Sequence, residues 1–378
     1  MIRVLQLACA ILSVYADRKV GITMTKSLSK TFAVAHHAYS LYEAIEKLEG
    51  WQPLLIMGDN EWDGHAELDA FGRTWKQRPI SNIGDLTIGI ASCAHAMFSK
   101  QTVSIVHNQG STYFDMLKLM RKNKSHAFDA NYRYDVLWSL PHHAWFSSFL
   151  LERNRFHSKR TVPYFWSPRF LTNNSEPYTY QTGSASRVGI YETNRGVYKT
   201  SVIPLFVLNR AYRHNHSLIH YAEAYGLGPI ANEVLMAEIQ ALEIQKDGLL
   251  VSRARKQDIP GSFHKTQVGT ILSHQHMVGI NNLYLEALYM NMSLVHNSQY
   301  FRECGYYYRG FDVEDASVVL AHAIQHHDTT IEEYARRAQK CLWSHSIENP
   351  GNLKALKEAL EEALAFSNHD DLMMRFEV

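Results

Sequence analysis

From residue 19 onward, short apolar runs alternate with segments of helical spacing. Residues 19–24 form a β-rich run. Residues 35–48 carry apolar side chains at Ala35, Ala38, Leu41, Tyr42, Ile45 and Leu48, the spacing of a helix with one buried face. Residues 53–57, closed by Gly58 and Asp59, read as a strand, as do 86–91, 103–106 and 135–140, the last stopped by Pro141. Continuous apolar runs separated by helical segments predict buried parallel strands in an α/β domain.

Residues 172–186 interrupt this rhythm with a polar, turn-rich stretch almost free of aliphatic side chains, the composition of a boundary. The pattern then restarts. Residues 187–191, 217–221, 248–251, 268–273 and 293–296 are predicted strands; 202–212 and 281–289 are predicted helices. Pro204 fits only the first turn of its helix. Residues 313–323, 331–342 and 353–366 close the chain as helices. The expected organisation is an N-terminal extension (1–18), a Rossmann-like domain (19–171), a linker (172–186), a second Rossmann-like domain (187–350) and a helical tail (351–378). Two facing domains of this kind line one cleft with the carboxyl ends of both sheets, where open α/β sheets bind ligands.

The chain has 378 residues, which suits two domains. Its 38 basic and 37 acidic side chains nearly cancel, which excludes a global electrostatic match to nucleic acid or an anionic membrane but leaves local patches open. The run from Val4 to Tyr15 imitates a signal peptide but has almost no basic flank. An extra strand or a helical extension is the expected reading, and no run is long enough for a membrane span. Cys9, Cys93, Cys304 and Cys341 are far apart in sequence. They read as isolated thiols of a reducing cytoplasm rather than a disulfide framework or a zinc site.

Several chemistries lack their signatures. There is no Gly-x-x-x-x-Gly-Lys-Ser/Thr, His-Glu-x-x-His or Gly-x-Ser-x-Gly, and no Asp-x-Asp of the metal-diphosphate type. Gly226, Gly228 and Ala231 match a dinucleotide fingerprint, but no acidic residue stands at the required later place, and Pro229 reads as a first helical residue. His274 and His276 end a predicted strand. A metal there needs a third ligand that the sequence does not name, so contact with a bound molecule is the preferred reading. The pairs His36-His37, His142-His143 and His326-His327 are adjacent, and neighbours on a strand face opposite ways.

Residues 273–297 carry the strongest signal: strand, glycine-containing loop, helix, strand. Gly279, Ile280, Asn281 and Asn282 precede the helix, where backbone N–H groups and the helix dipole suit a phosphate. Glu286 lies a turn further in and suits two vicinal ribose hydroxyls, or is an ordinary solvated helix residue. Spacing alone leaves both open.

This segment resembles the donor-binding strand–loop–helix of the two-domain GT-B glycosyltransferases, where a glutamate and an alanine in the helix lead to a hydrophobic strand. Glu286-Ala287 and Leu294-Val295 match that pattern. The first of the usual two glutamates is replaced by Val278, with His274 or His276 the candidate for its contact. Residues 166–168, 191–194 with 198–200, 273–275, 283–288, 294–297, and 304–308 with Phe311-Asp312 carry a closer resemblance. It spans about residues 19–352 and is to a little-characterised bacterial family of glycosyltransferase-like proteins, known mainly as a domain of unknown function.

The resemblance implies an α/β, GT-B-like fold and transfer of a hexosyl or pentosyl group from a nucleotide sugar to a hydroxyl acceptor, without a metal or other cofactor. Glu192, Asn194 and Lys199 would follow the first strand of the second domain and face the donor diphosphate, with Lys199 neutralising the leaving phosphate; a solvated helix-start lysine is the other reading. Residues 295–297 and 305–308 either contact base or sugar or merely pack. In the first domain His143, His107 and Asp59 are candidate bases for the acceptor proton. Lys118, Arg121, Lys122, Lys124, Arg153, Arg155, Lys159 and Arg160 raise duplex DNA with a modified base as another acceptor, against a solvated basic face. A non-catalytic nucleotide-sugar sensor is the third reading, motivated by Val278.

Overall fold

A computed structural model describes residues 18–24, 33–57, 64–70, 73–79, 85–90, 103–108, 135–154, 156–171, 178–192, 194, 199–227, 233–253 and 263–366. The chain divides into two compact units, one from Met1–Thr112, Lys118–Ser167 and His345–Val378, the other from Tyr113–Leu117 and Pro168–Ser344.

The first unit runs β1 (Arg18–Met24), α1 (Ala33–Glu46), β2 (Trp51–Met57), β3 (Glu67–Ala70), β4 (Arg73–Pro79), β5 (Leu86–Ile90), β6 (Val103–Asn108), β7 (Val136–Ser139), α2 (Ala144–Asn154) and β8 (Ser158–Thr161). The sheet order is β3-β4-β2-β1-β5-β6-β7-β8. Neighbours are parallel except β3 and β4. Val20, Ile22, Leu55, Ile56, Leu86 and Ile88 are buried, so the central strands read as continuous apolar runs because both faces are covered. The β3–β4 hairpin is invisible to hydrophobic periodicity because its strands are charged and lie at the sheet edge, where charge discourages further pairing. Trp75 and Gln77 anchor it, the Trp75 ring lying 4.5 Å from Tyr39 and 5.2 Å from Tyr42. Arg73 covers that ring at 4.3 Å and pairs with Glu43 and Glu46 at 3.3 and 3.0 Å.

The second unit runs β9 (Arg187–Ile190), α3 (Val202–His214), β10 (Tyr221–Tyr225), α4 (Glu233–Ala241), α5 (Glu243–Lys246), β11 (Leu250–Arg253), α6 (Phe263–Thr266), β12 (Thr270–Leu272), α7 (Asn282–Tyr289), β13 (Ser293–His296), β14 (Tyr306–Tyr307), α8 (Val313–His326) and α9 (Ile331–Trp343). All strands are parallel, in the order β11-β10-β9-β12-β13-β14. This is the doubly wound order of dinucleotide-binding sheets, with the reversal between β9 and β12.

Three sequence expectations change. The strand expected over 217–221 lies at Tyr221–Tyr225. Its apolar signal is broken by Glu223, which is fully buried and bonded to Tyr191 at 2.6 Å, Tyr221 at 2.8 Å and Arg253 at 3.4 Å. The polar stretch 172–186 is docked in the second unit from Tyr178 on: Tyr180 N–H donates to the Met290 carbonyl at 2.9 Å, and Thr270 donates to the Ala185 carbonyl at 2.7 Å. The closing helix α10 (Pro350–Ala365) belongs to the first unit, where Glu358 and Glu362 hold Arg160 at 2.9 and 2.6 Å.

The thiol reading also needs correction. Cys304 and Cys341 form a disulfide, with Cα atoms 6.2 Å apart although 37 residues separate them in sequence. The return of α8 and α9 past β14 brings them together, which spacing cannot reveal. Disulfides persist in oxidising surroundings, so the thiol argument for a cytoplasmic protein falls away. Among the described residues no helix is long and apolar enough to cross a membrane.

Candidate functional site

The site is built where the second sheet changes direction. β9 and β12 lie side by side, with Val188 opposite Thr270 and Gly189 opposite Ile271. Beyond their carboxyl ends come Tyr191-Glu192 and Ser273-His274-Gln275. Gly189 is required here, because a Cβ would collide with the Tyr191 ring.

Glu192 Oε1 accepts from the Ser273 hydroxyl and from the His274 backbone N–H at 3.2 Å. Ser273 Oγ is 2.9 Å from the Tyr284 hydroxyl of α7. Tyr308, just past β14, donates its hydroxyl to the Ser273 carbonyl at 3.0 Å and lies 3.0 Å from His274 Nδ1. A carbonyl can only accept, so the single Tyr308 proton points there, and His274 Nδ1 must donate to the phenol oxygen. That fixes the tautomer and leaves Nε2 unprotonated. Among the described residues neither His274 Nε2 nor Glu192 Oε2 has a hydrogen-bond partner, although His274 is 0% and Glu192 3% exposed.

Burial sets the charges. It pushes the Glu192 carboxyl up to about 7, against the opposing pull of Ser273, Lys199 and the His274 N–H. Burial, helped by His276, lowers His274 to about 4, so its ring is neutral at pH 7. Burial also lowers the Lys199 ammonium, with Glu192 opposing. The Lys199 backbone pairs with Gln275 in an antiparallel bridge, which brings it to the same strand end.

Gln275 is clamped from the other side as well. Its N–H donates to Asn297 Oδ1 and its carbonyl accepts from Asn297 Nδ2, both at 2.8 Å. Its side chain is 4% exposed, and neither amide atom has a partner among the described residues.

The loop and helix that follow hold the other expected residues. Gly279 is anchored through its carbonyl, which accepts from Ser298 at 2.6 Å. Asn281 caps α7 by accepting from the Leu283 N–H at 3.4 Å. Asn282 donates its amide to Glu286, which is buried rather than solvated. Of the two sequence readings of Glu286, the surface one is removed.

Asn194 serves the loop itself. It has a left-handed φ of 53°. Its side chain accepts from the Ser201 N–H at 2.7 Å and donates to Ser201 Oγ at 2.9 Å and the Gly226 carbonyl at 3.0 Å. It ties the loop carrying Lys199 to the start of α3 and the end of β10. His276 lies over Phe311 at 5.2 Å. His296 is satisfied within the protein by the Cys304 carbonyl at 2.7 Å and the Ser298 N–H at 3.1 Å, so of the two readings of that stretch it follows packing.

In the first unit, His143 is buried at the end of the tight turn Pro141–His143 after β7, with its ring 3.9 Å from that of His142. His107 stands on β6 opposite Ile90 and Trp138. Asp59 lies outside the described residues. So do Lys118, Arg121, Lys122, Lys124, Arg155 and the side chain of Arg153. Lys159 donates to the neutral Ser148 hydroxyl, and Arg160 is balanced by two glutamates. Among the described residues no three His, Cys, Asp or Glu side chains are grouped to hold a metal ion.

Strand ends, the helix pattern and the family resemblance single out Glu192, Lys199, His274 and Glu286 in the sequence, and the structure brings Glu192, Lys199 and His274 to one strand end. Sequence reading passed over Tyr284, and did not single out Ser273 and Gln275 as polar groups of the site. The fingerprint after β10 fails on topology, because a dinucleotide loop follows the strand at the switch point, which here is β9.

Comparison with known proteins agrees with this architecture. The family described as "Protein of unknown function (DUF2827)" matches residues 95–360. No curated protein matches. The solved trehalose-6-phosphate synthase OtsA superposes with a TM-score of 0.57 at 10% identity, covering 92% of this chain and 99% of that one. Sucrose-phosphate synthase from Thermosynechococcus elongatus gives 0.52 at 10% identity, covering 93% and 100%. A glycosyltransferase from Rickettsia africae ESF-5 gives 0.51 at 10% identity, covering 94% and 100%. The fold is that of the GT-B glycosyltransferases.

Proposed function

The chain belongs to the DUF2827 family, and we propose that it is a glycosyltransferase that moves a hexosyl or pentosyl group from a nucleotide sugar to a hydroxyl acceptor. The observation that carries this reading is the polar cluster at the switch point of the second sheet, Glu192, Ser273, His274 and Gln275, next to a helix whose Glu286 is buried and oriented by Asn282.

In this reading Glu286 accepts from the donor ribose hydroxyls, held by Asn282. The capped start of α7 offers backbone N–H groups to the diphosphate. Lys199 neutralises the departing diphosphate, a role stronger in the transition state than with bound donor. With cationic and helix-end groups offsetting that charge, transfer proceeds without a metal and survives chelation. The first unit holds the acceptor, with His143, His107 and Asp59 as candidates to take the hydroxyl proton.

The test is calorimetric titration with UDP, GDP, ADP and dTDP. One of them is expected to bind, and Glu286→Ala to weaken it by about 1.5–3 kcal/mol, the value of hydrogen bonds to a charged group. Unchanged affinity in Glu286→Ala refutes the ribose role. Val278 favours a second reading, a nucleotide-sugar-binding protein without turnover; slow hydrolysis of the bound donor would exclude it.

A further inference from the structure

Among the described residues, three of the four polar atoms left over at the switch point are acceptors. Glu192 uses Oε1 for Ser273 and the His274 N–H, and among the described residues nothing meets its Oε2. His274 spends Nδ1 on Tyr308, so its buried Nε2 presents a lone pair. Neither atom can donate when Glu192 is ionised. Beside them the Gln275 amide, held by its doubly clamped backbone, offers one donor and one acceptor. Buried polar atoms are costly unless matched, and three such side chains on two adjoining strand ends describe a recognition surface rather than a packing accident.

We propose that Glu192, His274 and Gln275 select the transferred group of the donor, taking an uncharged, hydroxyl-bearing sugar and rejecting its carboxylate-bearing counterpart. Sugar hydroxyls donate to Glu192 Oε2 and His274 Nε2, and the Gln275 amide completes the contact. A uronate carboxylate brings only acceptors and a second negative charge, so it pairs with neither Glu192 Oε2 nor His274 Nε2 and is left with the Gln275 amide N–H, while the nearby Lys199 ammonium already faces the Glu192 carboxylate. Ser273 and Tyr308 act as positioning residues: the first holds the carboxylate, the second the imidazole tautomer. Tyr308 is part of the inference because only its hydroxyl forces the proton onto Nδ1.

This inference rests on the donor reading above, and its test separates the two. The full chain is titrated at pH 8, where Glu192 is mostly ionised, first with free UDP, GDP, ADP and dTDP, then with the neutral hexose and the hexuronate conjugates of whichever nucleotide binds, UDP-glucose and UDP-glucuronate in the case of UDP. The neutral conjugate should bind at least about tenfold tighter than the uronate, the scale on which a buried polar mismatch discriminates. Glu192→Gln replaces an acceptor by a donor at nearly constant size and should shrink or invert that ratio. Tyr308→Phe frees the imidazole to carry its proton on Nε2 and should narrow the ratio without removing nucleotide binding. Binding of free diphosphate by each variant reports an intact fold. Equal or tighter uronate binding by the unmodified chain overturns the inference, as does a ratio unmoved by Glu192→Gln. Failure of every free diphosphate to bind overturns the donor reading itself, and the inference with it.

Discussion

Replacing Glu192 by glutamine should stabilise the protein at pH 8 much more than at pH 5. In the folded chain burial holds this carboxyl at about 7, against 4.5 for an ordinary glutamate. The folded state therefore keeps a proton that the unfolded state releases, and stability falls as pH rises from about 4.5 through 7. Below pH 4.5 both states are protonated and the penalty vanishes. Integrating the two titrations from pH 5 to pH 8 gives a loss of about 2.5 kcal/mol attributable to this one group. Glutamine carries no such titration and keeps an oxygen for Ser273 and the His274 N–H. The difference in unfolding free energy between variant and parent should thus grow by about 2.5 kcal/mol across that range. The burial that lowers His274 is the same in both proteins, so its titration largely cancels in the difference, whereas Lys199 loses the opposing pull of Glu192 and holds its proton less tightly in the variant. Urea unfolding followed by tryptophan fluorescence at pH 5, 6, 7 and 8 supplies the numbers. A difference constant to within about 0.5 kcal/mol would mean that Glu192 ionises freely in the native state, and the argument from its burial would fail.

The buried histidines predict the opposite trend for the whole chain. His36, His37, His274, His296 and His345 are each lowered by burial to about 4, so the stability they secure is full above about 6.5 and is lost as pH falls towards 4; acid unfolding should be steep in that window, and a flat profile would show these rings to be solvated. Lys199→Ala should lower kcat by roughly 10²-fold with little change in melting temperature, and Lys199→Arg should recover part of it; full activity in the alanine variant would remove Lys199 from the site. Reducing the Cys304–Cys341 bond, or Cys341→Ser, should cost about 4 kcal/mol by the entropy of releasing a loop of 37 residues, read as a lower urea midpoint under reducing conditions; an unchanged midpoint would show the bond to be absent in solution.

The sequence made much of the architecture legible because the central strands are buried on both faces. The runs ending at Met57, Ile190 and Leu272 needed only continuous apolar residues between helical segments to be recognised. Where a strand carries charge, the signal disappears. The β3–β4 edge hairpin is one case, and β10 is another, since Glu223 sits fully buried in mid-strand and is tolerated only because two tyrosines and an arginine meet it. Glu286 was readable from its place in α7, yet its burial, which decides between a surface residue and a binding residue, depends on packing that periodicity does not encode.

The candidate site shows why chemistry is harder to read than fold. Glu192 and Ser273 are 81 positions apart, and Tyr308 is 34 beyond His274. They meet only because β12 returns beside β9 and β14 follows β13, an order of strands that no local pattern specifies. Each residue alone has an ordinary explanation: a serine ending a strand, a tyrosine in a core, a histidine near a loop. Together they dictate one tautomer and one bound carboxylate oxygen, and so convert two titratable side chains into directed acceptors. A preorganised site needs that second layer, and the second layer is what sequence spacing conceals. The same burial that directs these groups also raises Glu192 and lowers His274, so the pH dependence of stability reports, without any ligand, whether the layer is assembled.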